Sequence, residues 1–130
     1  MKVNVSGRHV TVRPEWEDYA NEKAERLGKY FSGIQHVDFV VDANAKAHRC
    51  EMTVVLGQGA RLLGKAEAEE MRVAIDQAET KIEKQMRRFH AKLKAHRDRT
   101  RIADDVPQKE DTNEETYEQV IQEMLEEDAG

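Results

Sequence analysis

Between Glu69 and Arg101, apolar residues return every three or four positions: Met71, Ile75, Ala78, Ile82, Met86, Phe89 and Leu93. That spacing predicts one long helix with a single apolar stripe. Trp16, Ala20, Ala24, Leu27 and Phe31 form a second stripe and predict a helix over Pro14–Tyr30. Pro14 suits its first turn, where no N–H is needed. Arg13 before it is a poor cap, and Ser32-Gly33 closes it. Elsewhere the period is two, the mark of strands with one apolar face. Lys2-Val3-Asn4-Val5-Ser6 alternates. Val37, Phe39 and Val41 alternate with Asp38, Val40 and Asp42. Cys50, Met52, Val54 and Leu56 alternate with Arg49, Glu51, Thr53 and Val55. Leu62, Gly64, Ala66 and Ala68 alternate with Arg61, Leu63, Lys65 and Glu67. Gly57-Gln58-Gly59 between the last two runs reads as a hairpin connection.

The predicted order is therefore β-α-β-β-β-α, an α+β fold. Four strands with one apolar face and two helices with one stripe fit best as a single sheet with both helices on one side. The first helix is long enough to be a crossover, so the first two strands can run parallel. The remaining pairs are expected antiparallel. This order, ending in a basic helix, resembles double-stranded RNA-binding domains. The folded domain is expected over residues 1–102. Residues 103–130 read as an acidic tail. Its first part, Ala103 to Thr112, is polar, contains Pro107 and reads as a flexible linker. Tyr117, Val120, Ile121, Met124 and Leu125 then fall at helical spacing, which suggests a short amphipathic helix over residues 114–126. Two readings stand open for it: a solvating tail, or an element that folds onto a partner or onto the chain's own basic helix.

Charge sharpens this picture. The 130 residues carry a net charge of −5, unevenly placed. Residues 103–130 hold eleven acids and one base, Lys109, a net of −10. Residues 81–101 hold nine bases against Glu83 and Asp98, a net of +7. At ~100° per residue, Lys81, Lys84, Arg88 and Lys92 project from one flank of the long helix's stripe, and Asp76, Glu79 and Glu83 from the other. Arg87 and Lys94 lie further round, and Arg97, Arg99 and Arg101 extend the charge. Lys23 and Arg26 fall on one flank of the first helix. A basic body with an acidic tail points to a polyanionic partner.

Candidate chemistry is sparse. His9, His36, His48, His90 and His96 show no HExxH spacing, and one cysteine cannot build a zinc site. Gly57-Gln58-Gly59 lacks the third glycine of a dinucleotide fingerprint and sits between strands. No P-loop or nucleophile motif appears. The chain is thus expected to be no enzyme, with no cofactor, metal or small-molecule substrate. Cys50, alone in a strand, reads as a buried and inert thiol. Residues 1–10 have no apolar core of a signal peptide. No stretch approaches a membrane span. A cytoplasmic protein, monomeric in solution, is expected.

Binding remains. A row of cations at spacings of three, four and four can track a phosphate backbone, and one-sided charge favours that over a merely solvated face. Aromatics make up only 5% of the chain and fall at core positions, so stacking on single-stranded bases is disfavoured.

The residues then reach a family. Ala66-Glu67-Ala68-Glu69-Glu70-Met71-Arg72-Val73-Ala74-Ile75-Asp76, continuing Lys81-Ile82-Glu83-Lys84-Gln85-Met86-Arg87-Arg88, resembles the signature of the bacterial ribosome hibernation factors, which include the hibernation promoting factors and protein Y. The pattern there is roughly acid-Met-Tyr-x-Ala-Ile-Asp, then Lys-Leu-Glu-Arg-Gln-Leu-x-Lys. Met71, Ala74, Ile75, Asp76, Lys81, Glu83 and Gln85 agree outright, while Arg72 stands where the family usually has Tyr. The resemblance covers residues 1 to about 95. It implies binding to the small ribosomal subunit, in the channel of mRNA and the A- and P-site tRNAs, and inhibition of translation in stress or stationary phase by steric occlusion. By that resemblance Lys81, Lys84, Arg87, Arg88, Lys92 and Lys94 would contact rRNA, with Lys23 and Arg26 adding to them. The acidic extension resembles protein Y more than the shortest members. Long members carry a second, dimerising domain, for which residues 103–130 leave no room. The competing reading is a protein–protein adaptor, or a general structured-RNA-binding module, with an acidic regulatory tail.

Overall fold

Alternation of period two builds a four-stranded sheet in the computed structural model, which describes residues 1–103 and 119–125. The strands are β1 (Lys2–Arg8), β2 (Ile34–Ala43), β3 (His48–Leu56) and β4 (Arg61–Ala68), and they lie in the order β1-β2-β3-β4. β1 pairs parallel with β2, matching Val3 to Val37 and Val5 to Phe39. This follows from helix α1 (Pro14–Tyr30), which carries the chain back across the sheet. β2–β3 and β3–β4 are antiparallel, with Phe39 opposite Met52 and Val54 opposite Leu62. A short 3-10 turn, Gly57–Gly59, makes the β3–β4 connection.

The expected alternation places Val37, Phe39, Val41, Cys50, Met52, Val54 and Leu56 on one buried face. Helix α2 (Met71–Ala103) and α1 cover that face together. α1 contributes Trp16, Ala20, Ala24 and Leu27, and α2 contributes its whole predicted stripe from Met71 to Leu93. Arg13 caps α1 without a side-chain bond; its backbone carbonyl accepts from Trp16 and Glu17 N–H. Gly33, at φ 91°, makes the turn from α1 into β2, a conformation that favours glycine. On the open face, charges pair across strands: Arg49 with Glu67 at 3.5 Å and Arg8 with Glu51 at 3.4 Å.

Gly64 decides how closely α2 lies on β4. A Cβ there would sit 2.7 Å from the Ala78 carbonyl oxygen and 3.2 Å from Ile82 Cγ1. Only glycine lets the helix backbone approach the strand so closely.

Of the expected tail helix over 114–126, residues 119–125 are described and helical. Val120 and Met124 are buried in the same core as the sheet and helices, and Ile121 packs against it. The expected linker from residue 104 onward lies outside the described residues.

Candidate nucleic-acid interface

The two charged flanks of α2 have different neighbours. The acidic flank faces α1. Tyr19, Lys23 and Arg26 fall at helical spacing on the flank of α1 that meets it. The Tyr19 hydroxyl donates to Asp76 Oδ1 at 2.6 Å, and Lys23 Nζ lies 3.2 Å from the same oxygen. The Lys23 ammonium and the Arg72 guanidinium both sit over the Tyr19 ring, at 5.2 and 5.1 Å from its centre. The hydrogen bond to Asp76, then burial and the Asp76 charge, push the Tyr19 hydroxyl above its ordinary pKa. Burial pulls Lys23 down, but its bond to Asp76 and the charges of Glu79 and Asp76 outweigh that, and its net shift is upward.

Glu79 is the charged residue in the core, only 6% exposed. Its Oε2 finds no hydrogen-bond partner among the described residues. Burial raises its pKa, against the pull of Lys23 and Arg26. Further along, His90 stacks on Phe31 with ring centres 5.7 Å apart, fastening the end of α1 to α2.

The basic flank faces β4, the edge strand. Lys81 Nζ donates to the Lys65 carbonyl, and Gln85 Nε2 donates to the Leu63 carbonyl at 2.7 Å. These two side chains cover the edge of the sheet, where bare carbonyls would otherwise invite another strand. Lys84, Arg87 and Lys94 are exposed, and Arg88 and Lys92 are half-buried. Arg88 donates to the Met124 carbonyl at 3.4 Å. Arg26 is exposed on α1, whereas the Lys23 side chain is 18% exposed and held by Asp76. The side chains of Arg97, Arg99 and Arg101 lie outside the described ones.

Sequence reasoning overlooked several of these partners. Arg61 and Lys65 stand exposed on β4, on the face of the sheet turned away from α2. The Tyr19–Asp76–Lys23 cluster was also missed. The signal for it was charge complementarity between the cationic flank of α1 and the acidic flank of α2. A recess between the two helix N-termini is lined by Arg13, Trp16, His48 and Arg72, but also by Glu15 and Glu70, so its charge is mixed. Among the described residues, no group of His, Cys, Asp and Glu could hold a metal ion. Cys50 is buried, and burial with the Glu51 charge pushes its thiol up to about 12, so it stays protonated. Among the described residues no helix is long and apolar enough to cross a membrane.

A cationic ridge on a helix backed by a sheet coincides with a known family. The family described as Sigma 54 modulation protein / S30EA ribosomal protein matches residues 3–94. The chain belongs to this family. An S30EA relative from Pseudomonas putida, a ribosome hibernation promoting factor, is 32% identical over 92 residues, covering 71% of this chain and 89% of its own length. The Escherichia coli hibernation promoting factor is 27% identical over 96 residues, 74% of this chain and all of its own. The S30EA fold recurs in the Thermus thermophilus Protein Y N-terminal domain, with TM-score 0.61 and 29% identity over 68% of this chain and 99% of that one. A ribosomal subunit interface protein from Coxiella burnetii, at 19% identity and TM-score 0.62 over 70% of this chain and 99% of that one, shares the fold.

Proposed function

We propose that this protein is a ribosome hibernation factor. It lays the basic flank of α2 against rRNA phosphates in the mRNA and tRNA channel of the small subunit and blocks the A and P sites by occupying them. One observation carries the reading. Two acids on one flank of α2 are turned toward α1, Asp76 bonded to Tyr19 and Lys23 and Glu79 buried, whereas the other flank carries the cationic row along the side of the helix next to β4. Lys84, Arg87, Lys92 and Lys94 present that charge, Lys81 and Arg88 add to it while also bonded within the fold, and Lys23 and Arg26 on α1 supply cations on the other side of α2. The mechanism is steric and needs no chemical step, and its place of action is the cytoplasm. Membership of the S30EA family and the names of its relatives support a ribosome-associated role. The adaptor reading is disfavoured because the apolar anchors of the tail, Val120 and Met124, are already buried against the chain's own core.

Co-sedimentation with isolated small subunits over a salt series tests this. Binding is expected at low salt, with progressive release as salt rises. Each phosphate contact contributes roughly 0.7–0.9 to the slope of log K against log salt. Lys84→Ala with Lys92→Ala should therefore flatten the slope by about 1.5. Absence of the protein from the subunit pellet at low salt, or a slope untouched by the double variant, would overturn the proposal.

A further inference from the structure

We propose that residues 119–125 form an internal clasp that sits on α2 at Arg88, midway along the helix, and must lift before that stretch can take RNA. The inference rests on the ribosome-binding reading above and adds to it a built-in competitor.

The segment lies in the most acidic part of the chain, yet it is held by apolar anchors. Val120 is 0% exposed and Met124 3%, while Leu125 on the outer side is 58% exposed. The helix thus has an inner and an outer face, and the inner one is packed in the domain core. Its polar hold is Arg88, whose guanidinium donates to the Met124 carbonyl. The contact therefore engages a member of the row that phosphates would contact. The described segment carries one acid of its own, Glu123, on its way past the basic helix. The clasp thus competes with phosphate for the Arg88 guanidinium.

Charge alone and docking make opposite predictions for one variant. Val120→Asp with Met124→Asp adds two negative charges to the tail and removes both anchors. If the tail acted only as a floating polyanion, this variant would bind small subunits no better than the parent chain. If the clasp occludes α2, it should bind roughly three- to tenfold more tightly at low salt, despite its greater negative charge. Val120→Ala with Met124→Ala, which introduces no charge, should move binding the same way by less, and serves if the Asp pair disturbs the fold. Hydrogen exchange supplies the second readout. Amides of residues 119–125 should be protected in the chain alone, unprotected in the Asp variant, and unprotected once small subunits bind the parent chain. Equal or weaker binding by both variants, or protection that persists in the bound state, would overturn the clasp. If no form of the chain co-sediments with small subunits, the ribosome reading fails instead. The same affinity comparison on a duplex RNA oligonucleotide then tests the clasp by itself.

Discussion

Replacing Gly64 by alanine tests the close approach of α2 to β4. The new methyl group would lie 2.7 Å from the Ala78 carbonyl oxygen, 3.2 Å from Ile82 Cγ1 and 3.4 Å from Lys81 Cβ. The first of these is helix backbone and cannot rotate away, so α2 must withdraw from β4 by several tenths of an ångström. Overpacking of this kind costs about 1–3 kcal/mol. The loss of glycine's freedom in the unfolded chain returns about 0.4–1 kcal/mol. A net loss of about 1–2 kcal/mol is expected. For a domain of this size each kcal/mol lowers Tm by roughly 4–8 °C, so the melt should fall by about 5–15 °C. Urea unfolding followed by the fluorescence of the buried Trp16 gives the free energy directly. Withdrawal should also loosen the bonds from Lys81 to Lys65 and from Gln85 to Leu63, with faster hydrogen exchange along the β4 edge. A variant as stable as the parent would refute the idea that Gly64 sets the approach of α2.

Two further expectations follow from the buried titratable groups. Glu79 has a folded pKa above its unfolded one, so wild-type stability is lost as pH rises from the ordinary carboxylate range through the raised value. Glu79→Gln should therefore be the more stable form at neutral pH, with the gain vanishing below that range; denaturation midpoints at several pH values check it, and a destabilised variant at pH 7 would contradict the assignment. Cys50, with its thiol near 12 and buried, should resist alkylation at pH 8 until the domain unfolds, so labelling that proceeds at the rate of an exposed thiol would show that the core is open there.

Much of the architecture could be read from one-body patterns. The bounds of α1, the alternation in β2 to β4 and the parallel β1–β2 pair follow from periodicity, Pro14 and the length of a crossover. What periodicity cannot show is which flank meets which neighbour. The pattern of α2 puts Asp76 and Glu79 on one flank but says nothing of Tyr19 and Lys23, the first of them 57 residues away from Asp76. In the sequence Lys81 reads only as a phosphate contact, and its bond to β4, like that of Gln85, depends on the close approach that the missing side chain of Gly64 allows. The amphipathic spacing of Val120 and Met124 marked a helix and left its docking partner open; the burial of both residues lies in tertiary packing.

Seven residues agree outright with the family signature, and six of them have a visible task in assembly. Met71, Ala74 and Ile75 are core, Asp76 fastens α1, and Lys81 and Gln85 fasten the edge of β4. The signature therefore describes how a helix is mounted more than what it grips. A substitution at Lys81 or Gln85 that weakens ribosome binding does not locate a contact, because the mounting has changed as well. The informative position is one such as Lys84, exposed and with no bond to the sheet among those described, where a loss of binding reports on the grip alone.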